Sequence, residues 1–284
     1  MSEGVRIAIA SGKGGTGKTT VAVNLAWSVH EPVQLLDCDV EEPNAHLFLR
    51  PEIQRSETVS IPVPEVDESR CDACGECSRL CAWHAIVSLK TRPLVFPDLC
   101  HGCGGCARIC PLEAIREMDR PIGTVETGVS GPVNLVQGRL NIGAPMAPPL
   151  IRAVKARAHG SGLVIVDAPP GTSCPVIAAV RDCDFLVLVT EPTPFGLHDL
   201  VLAVDMVREL RIPFGVVINR AGMGDDRTAV FCRNQNIPIL QEIPDDRRIA
   251  EAYARGRIVV EALPEYQSLF QQLLAALRAA AKKG

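Results

Sequence analysis

Eight of the twelve cysteines in this chain fall into two runs with the same spacing, Cys-x-x-Cys-x-x-Cys-x-x-x-Cys. The runs consist of Cys71, Cys74, Cys77 and Cys81, and of Cys100, Cys103, Cys106 and Cys110. Thiolates are the ligands that structural zinc and iron-sulfur clusters take from proteins. The repeated spacing therefore predicts a site for a metal or a cluster.

The spacing favours two 4Fe-4S clusters over zinc. Tetrahedral zinc needs only two Cys-x-x-Cys pairs, which would leave the third and fourth cysteines of each run without a purpose. In bacterial two-cluster ferredoxins with this spacing, the fourth cysteine of each run ligates the cluster that the other run holds. The expected ligand sets are Cys71, Cys74, Cys77 and Cys110 for one cluster, and Cys100, Cys103, Cys106 and Cys81 for the other.

A second group of residues could bind a nucleoside triphosphate. The stretch GKGGTGKT, from Gly12 to Thr19, satisfies the pattern Gly-x-x-x-x-Gly-Lys-Ser/Thr. Backbone N–H groups of such a loop cradle phosphate oxygens, while Lys18 would reach the β- and γ-phosphates and Thr19 would ligate Mg²⁺. The residues of this region expected to bind ATP are Gly12, Gly14, Gly15, Thr16, Gly17, Lys18, Thr19 and Thr20.

The elements that would position this loop alternate along the chain. Continuous apolar runs predict strands at 5–10, 33–36, 163–166, 185–189 and 214–218, and helical patterns cover 19–29, 147–158 and 196–210. Apolar strands separated by helices are typical of a parallel sheet that is covered on both faces. We therefore expect an α/β fold with a mostly parallel, doubly wound sheet of the P-loop NTPase type.

The stretch from 51 to 143 interrupts the alternation. It is rich in Pro, Gly and Cys, and its strong periodicity is the cysteine repeat. This predicts a small domain inserted in a surface loop of the α/β core. The expected domains are a P-loop ATPase domain at 1–55 and 125–284, and an inserted ferredoxin-like domain with two 4Fe-4S clusters at 56–124.

One residue of the phosphate loop indicates a family. Lys13 follows Gly12 directly and makes the loop a deviant Walker A loop. The chain resembles the group that includes MinD, ParA, the Mrp cluster carriers and the nitrogenase iron protein. In that group the extra lysine reaches the partner subunit's nucleotide. The resemblance implies a homodimer that sandwiches ATP, with Lys13, Lys18 and Asp39 as catalytic residues.

Three further residues match the family in the correct order. Asp39 lies after the second strand, where the first switch begins, and matches the water-positioning or catalytic aspartate. Asp167 opens an Asp-Ala-Pro-Pro-Gly stretch that resembles the second switch, and Asn219 matches the residue that recognises adenine. The resemblance places Thr19, Asp39 and Asp167 around Mg²⁺. A lone Asp or Asn at a strand end would otherwise be interpreted as a cap.

Composition limits the other classes of function. The net charge is -4 and the isoelectric point is near 5.9, so the chain lacks the overall basic field of nucleic-acid binders. No signal peptide and no membrane-spanning run are found, so we expect a cytoplasmic protein with reduced thiols and neither nucleic acid nor membrane as a partner. Cys174 is expected to be a buried, unliganded thiol, and the C-terminal helix is expected to pack on the core.

These features favour a dimeric ATPase that couples ATP binding and hydrolysis to electron transfer through two 4Fe-4S clusters to a partner protein. One alternative is a carrier or assembly scaffold for an iron-sulfur or other metal cluster. Another is a spatial-positioning ATPase whose clusters sense redox state. In the first two cases the partner is an unidentified redox protein or cluster acceptor.

Overall fold

The computed structural model describes residues 4–89 and 92–281. Its strands are β1 Val5–Ala10, β2 Val33–Asp37, β3 Glu52–Val66, β4 Ile86–Ser88, β5 Pro93–Val95, β6 Ile115–Ser130, β7 Val133–Leu140, β8 Leu163–Asp167, β9 Phe185–Thr190, β10 Phe214–Ala221 and β11 Ile239–Pro244. Its helices are α1 Lys18–Trp27, α2 Ala45–Leu49, α3 Glu76–Leu80, α4 Gly105–Ile109, α5 Pro148–Lys155, α6 Cys174–Val180, α7 Pro194–Leu210, α8 Arg227–Asn234, α9 Arg247–Ala254, α10 Val259–Ala262 and α11 Gln267–Ala281.

Nine of these strands form one sheet in the order β11-β10-β9-β1-β8-β2-β7-β6-β3. The strands from β11 to β7 in this order are parallel, whereas β6 and β3 are antiparallel to their neighbours. The expected α/β fold with a mostly parallel sheet is confirmed. Each of the five strands predicted from an apolar run belongs to this parallel part.

Helices cover both faces of the sheet because alternate side chains of each strand point to opposite sides. Ile7 and Ile9 of β1 pack with α1 and α11, whereas Ala8 and Ala10 belong to the apolar cluster that includes α5, α6 and α7. In α11, the side chains of Phe270, Leu273 and Leu277 are buried in the core. The C-terminal helix therefore packs on the sheet as expected. No helix within residues 4–89 and 92–281 has the length and apolar character needed to cross a bilayer.

The stretch from 51 to 143 contains five strands that the sequence did not predict, β3 to β7. β3 and β6 pair over their whole length as an antiparallel ribbon, from Glu52 opposite Val129 to Val66 opposite Ile115. Much of the first half of β3 is exposed, so an apolar run could not reveal it. The ribbon carries α3, α4 and the β4-β5 hairpin at its far end.

The predicted domain boundaries therefore fall within paired strands. Residue 56 lies in β3 and pairs with Glu126, and residue 124 lies in β6 and pairs with Thr58. At the bulge between Val59 and Ser60, Ile122 is the additional residue of β6, and its side chain is buried in the core. The cysteine-bearing region is thus attached to the sheet by two continuous strands and not by flexible linkers.

We expect that residues 67–114 can be replaced by an Asn-Gly turn without loss of the ATPase fold. Val66 and Ile115 already face each other across the ribbon, and Asn-Gly is a strong hairpin turn. The shortened chain should bind MgADP with the affinity of the full chain and should contain no iron. Calorimetry and iron analysis of both chains provide the test. An insoluble chain, or one that does not bind nucleotide, would contradict an insertion at these positions.

Candidate functional site

The phosphate loop and several predicted residues line one cavity of about 400 Å³. The loop joins β1 to α1, at the carboxyl edge of the sheet where parallel α/β folds bind ligands. The predicted residues that line this cavity are Gly14, Gly15, Gly17, Lys18, Thr19, Thr20, Asp39 and Asn219. The structure therefore brings together most of the expected nucleotide-binding residues. Gly12, Lys13, Thr16 and Asp167 lie outside the lining.

Two glycines of the loop permit close approaches that a side chain would prevent. A Cβ on Gly12 would lie 2.2 Å from the carbonyl oxygen of Asp199, at the first half of α7. A Cβ on Gly17 would lie 2.3 Å from Nδ2 of Asn219, and Gly17 has a φ of 93°. Asn219 in turn donates a hydrogen bond from Nδ2 to the carbonyl oxygen of Thr16 at 2.8 Å. The end of β10 is thereby fixed against the phosphate loop.

Asp167 lies behind Thr19 at the end of β8. Thr19 Oγ1 donates a hydrogen bond to Asp167 Oδ2 at 2.6 Å, and the residue is fully buried. Its other oxygen, Oδ1, is buried and has no hydrogen-bond partner among residues 4–89 and 92–281. Buried polar atoms normally have a partner, so this oxygen fits a water molecule or a hydrated cation. Hydroxyl and carboxylate oxygens suit Mg²⁺, which keeps several of its waters.

Three acids at or near this cavity have raised pKa values in the ligand-free protein, so they ionise less readily than ordinary carboxyl groups. Burial raises the pKa of Asp37 to about 7 and the pKa of Asp39 to about 6, although Lys18 opposes the second shift. Burial also raises the pKa of Asp167 well above its ordinary value, and nearby Asp37 adds to this effect. A cation that binds here would gain stability by neutralising several negative charges at once.

Asp37 is a positioning residue that the sequence did not assign. It ends β2 and lies opposite Asp167 in the register with β8. Its carboxylate accepts hydrogen bonds from the backbone N–H groups of Asp39, Asn44 and Ala45 at 3.1, 3.0 and 3.0 Å. These bonds define the course of the loop between β2 and α2, and hence the position of Asp39.

Lys13 pairs with an acid of its own chain. Its Nζ lies 3.4 Å from Glu191 Oε2, and Arg220 Nη1 lies 3.0 Å from Glu191 Oε1. The Glu191 side chain is only 8% exposed, so its charge depends on these two cations. Glu191 lies in the stretch Thr-Glu-Pro-Thr-Pro at 190–194, and nothing in this sequence indicates that its side chain contacts Lys13. If the Lys13 side chain turned to contact a second subunit, Arg220 would be the one cation of this pair left beside Glu191.

The sequence also gave no signal for part of the cavity wall. This part is formed by Arg220 of β10, next to the predicted Asn219, together with residues that follow β11 and belong to α9. The additional lining residues are Pro244, Asp245, Asp246, Ile249, Ala250 and Tyr253. They are far from the phosphate loop in sequence, and the loop motif carries no information about them.

The two crossed sets of cysteines line two separate cavities. One cavity is lined by Cys71, Cys74, Cys77 and Cys110 among other residues, and the second by Cys81, Cys100, Cys103 and Cys106. Within residues 4–89 and 92–281, no three His, Cys, Asp or Glu side chains are grouped so that they could hold one metal ion. Each set is instead distributed around the wall of its cavity.

Matching backbone hydrogen bonds explain the crossing. The N–H of Asp67 donates to the carbonyl oxygen of Ala114, and the N–H of Phe96 donates to that of Ala85, both at 2.7 Å. Each bond joins the residue four positions before one run to the residue four positions after the other run. Because of this pairing, the last cysteine of each run lies near the first cysteine of the other.

The two halves also share their backbone conformation. Positive φ angles occur at the equivalent pairs Ala73 and Gly102, Gly75 and Gly104, and His84 and Glu113. Two N–H groups donate to sulfur, from Gly102 to Cys100 Sγ at 3.4 Å and from Ala114 to Cys110 Sγ at 3.3 Å. Hydrogen bonds to sulfur also influence the reduction potentials of iron-sulfur clusters.

Cys174 is not buried, contrary to the expectation. It is the first residue of α6 and is exposed, as are Thr172 and Ser173 before it, because the sheet-facing residues of this helix are Val176, Ala179 and Val180. Cys38, Cys183 and Cys232 are buried, and burial raises the pKa of each of these thiols. Cys174 is thus the only exposed cysteine outside the two runs among the described residues.

The sheet connects the two kinds of site. The N–H of Leu140, at the end of β7, donates to the carbonyl oxygen of Val40 at 2.8 Å. Val40 directly follows Asp39, and a Cβ on Gly138 would lie 2.6 Å from Val40 Cγ1. β7 pairs with β6, which continues into the cysteine-bearing ribbon. The loop that carries Asp39 therefore contacts the strand next to that ribbon.

Comparison with known proteins indicates where this architecture recurs. The family model for the CobQ/CobB/MinD/ParA nucleotide binding domain matches residues 7–260. An uncharacterized protein of Methanocaldococcus jannaschii is 31% identical over 90% of this chain and 91% of its own length. An iron-sulfur cluster carrier protein of Pyrococcus abyssi is 21% identical over 90% of this chain and 79% of its own length. The cell division ATPase MinD of Pyrococcus furiosus has a similar fold, with a TM-score of 0.58 at 20% identity over 97% of this chain and 99% of MinD.

We expect MgADP binding to release protons near pH 6. The pKa of Asp39 is about 6, so this carboxyl is partly protonated there, and burial also raises the pKa of Asp167. Mg²⁺ binds the carboxylate form, so the Mg²⁺-dependent part of the ADP affinity should rise between about pH 5.5 and about pH 7.5. Calorimetry in buffers of different ionisation enthalpy measures the protons released. Asp39→Asn should release fewer protons, and an unchanged release would exclude Asp39 as the linked group.

Proposed function

Because the chain belongs to the CobQ/CobB/MinD/ParA family of nucleotide-binding ATPases, we propose that it acts as a homodimer that couples ATP binding and hydrolysis to electron transfer. Electrons would pass through two 4Fe-4S clusters in an inserted ferredoxin-like domain to a partner protein. The observation that carries the proposal is the arrangement of the eight cysteines as two crossed sets, each around its own cavity. These cavities lie on a ribbon continuous with the ATPase sheet.

The donor sets fit iron-sulfur clusters better than a mononuclear metal. Four thiols surround each cavity, and the crossed sets are the ones that the two-cluster spacing requires. Four ligands of a single zinc ion would converge within about 2.3 Å of one point, whereas a cluster needs its ligands around a larger volume. Two 4Fe-4S clusters, when bound, would supply one-electron carriers inside the chain.

The nucleotide site would use the residues already described. The backbone of the phosphate loop and Lys18 would hold the phosphates, and Thr19, Asp39 and Asp167 would hold Mg²⁺ directly or through water. Asp39 would orient the attacking water, and Asn219 would face adenine. This assignment is supported by the shared cavity and by the partnerless Oδ1 atom of Asp167.

Coupling would begin in the loop after Asp39. A nucleotide-dependent shift of this loop would displace Leu140, whose N–H is hydrogen-bonded to Val40. It would also change the close approach of Val40 to Gly138. Ser130, at the end of β6, donates a hydrogen bond to the carbonyl oxygen of Leu49 in α2. The loop after Asp39 thus contacts β7, the neighbour of the ribbon, while α2 contacts the end of β6 directly. Ligand binding biases such a device only if it favours one position of the loop.

Lys13 would link the two subunits by contacting the nucleotide bound to the other one. In the single chain it is held by Glu191, and it must leave this carboxylate to reach a neighbouring nucleotide. The loss of one partner leaves a buried charge less well compensated, so the ion pair opposes closure. The phosphates of ATP in the opposite subunit would have to attract Lys13 more strongly than Glu191 does.

The partner would approach exposed apolar side chains near the cysteine cavities. Leu80 and Trp83 are 49% and 51% exposed and line the second cavity, and Leu112 is 41% exposed and lines the first. Trp83 stacks on His101 with their ring centroids 3.6 Å apart. Apolar groups at a surface are typical of protein contact sites.

A second candidate function is delivery of a cluster to an acceptor. Cys74 and Cys103, one thiol of each set, are exposed, so an incoming ligand could reach one corner of each site. A protein of Pyrococcus abyssi that is 21% identical over 90% of this chain is named an iron-sulfur cluster carrier protein. Transfer requires that the clusters leave the chain, whereas electron transfer requires that they stay.

We expect about eight iron atoms per chain after anaerobic purification and about four in Cys110→Ala, because this change removes one ligand of one cluster. Cys174→Ala is the matched control and should retain the full iron content. Adding Cys74→Ala to Cys110→Ala should remove no further iron, since both cysteines belong to one set. Adding Cys103→Ala should remove nearly all of it. The opposite order for these two double variants would show that the sets are not crossed.

We expect MgATP, compared with MgADP, to change the reduction potential of a cluster or its rate of oxidation by an electron acceptor. A tenfold effect needs about 1.4 kcal/mol of differential binding. Anaerobic redox titration and stopped-flow oxidation measure the two quantities. Lys13→Ala should bind nucleotide but lose the difference, whereas Lys18→Ala should lose nucleotide binding. Identical values in both nucleotide states, with iron lost to an apo-acceptor, would favour the carrier.

A further inference from the structure

A cleft of about 560 Å³ lies between α5, α6 and the start of β1. It is larger than the nucleotide cavity of about 400 Å³ and shares no lining residue with it or with either cysteine cavity. Four cations and one acid line it, namely Arg6, Arg152, Lys155, Arg181 and Asp182. Neither the sequence patterns nor the ATPase site accounts for this group.

The positive charge of the cleft is not balanced within the described part of the chain. None of the four cations forms an ion pair with a carboxylate of residues 4–89 or 92–281, whereas Arg157, just beyond α5, pairs with Glu57 at 3.0 Å. The chain as a whole has a net charge of -4, so the cleft is positive in an acidic protein. A concave site lined by one sign of charge concentrates counter-ions of the opposite sign.

The walls of the cleft are fixed, and part of its surface is apolar. Lys155 Nζ donates a hydrogen bond to the carbonyl oxygen of Ala178 at 3.1 Å and another to that of Arg181, which ties α5 to the end of α6. Pro148, Ala156 and Ile177 add apolar surface between the cations. A ligand with a carbon skeleton and several negative charges fits this combination better than an inorganic ion does.

We propose that this cleft binds a small organic polyanion, either a phosphate ester or a polycarboxylate. Both carry planar or tetrahedral oxyanions that two guanidinium groups can hold through paired hydrogen bonds. The site is independent of the nucleotide cavity. The cleft is nevertheless joined to the nucleotide cavity along the chain, because α6 begins directly after residues 167–173, which resemble the second switch.

Cys174 supplies a direct report of occupancy. Its exposed thiol lines the cleft and is the only exposed cysteine outside the two runs among the described residues. A bound anion would cover this thiol and slow its reaction with iodoacetamide, a neutral reagent. Peptide mass spectrometry can follow alkylation at this one position while the other cysteines are ignored.

The test uses the full chain, purified anaerobically, with citrate, fructose 1,6-bisphosphate, potassium chloride of equal ionic strength and a short DNA duplex as probes. If the dissociation constant is about 1 mM, about 5 mM of the better anion should slow alkylation of Cys174 about sixfold. Calorimetry should detect binding of the same anion. Citrate alone, or the bisphosphate alone, would identify the chemical class of the ligand.

Two double variants separate the cleft from general charge effects. Arg152→Gln with Arg181→Gln should lose the protection, while Arg233→Gln with Arg255→Gln, which removes the same charge from exposed positions outside the cleft, should keep it. Equal protection in the two double variants would overturn the proposal. So would the absence of both protection and calorimetric binding for both organic anions, or protection by DNA alone, which would indicate a nucleic-acid surface.

Discussion

Two acids buried side by side at the ends of neighbouring parallel strands are the constraint on which the nucleotide site depends. Asp37 ends β2 and Asp167 ends β8, in register, and both side chains are fully buried. Burial makes each of them costly to ionise, and Asp37 raises the pKa of Asp167 further. The surrounding structure compensates with hydrogen bonds from backbone N–H groups to Asp37 and from the Thr19 hydroxyl to Asp167. The ATPase site therefore gathers buried acids whose ionisation is favoured only by a nearby cation such as Lys18 or a bound Mg²⁺.

The same strands determine how the rest of the chain can respond. β2 lies between β8 and β7, so the loop after Asp37 lies beside the last residues of β7. β7 leads through β6 and β3 to the two cysteine cavities without an intervening flexible segment. A long antiparallel ribbon transmits a displacement at its base to its tip better than a loop does, because its backbone hydrogen bonds keep the two strands in register. This geometry supports electron-transfer gating more directly than a free-standing ferredoxin on a linker would.

The charges beside the phosphate loop and those in the cleft between α5 and α6 are compensated differently. Glu191 holds Lys13 and Arg220 beside the phosphate loop, and removal of either cation would leave its carboxylate poorly compensated. The cleft between α5 and α6 has the opposite problem, since its cations have no carboxylate partner within the described residues. Internally satisfied charges favour a resting state, and unsatisfied charges favour a ligand. The Glu191 ion pairs would oppose closure of a dimer, whereas the cations of the cleft would attract an anionic ligand.

The sequence by itself determined the features that depend on local spacing. The phosphate loop needs glycines, Lys18 and Thr19 in a fixed order between a strand and a helix, and the five apolar runs are long enough to be read as buried parallel strands. The spacing also predicted the crossed cysteine sets, and each set lines one cavity. That each set ligates a cluster stays a prediction. What only the tertiary structure decided involves partners that are distant in sequence. The first half of β3 is mostly exposed and polar, so only its pairing with β6 defines it as a strand. The Lys13–Glu191 pair and the four-cation cleft arise where separate elements meet. Periodicity reports which face of an element is buried, but it does not report which other element covers that face.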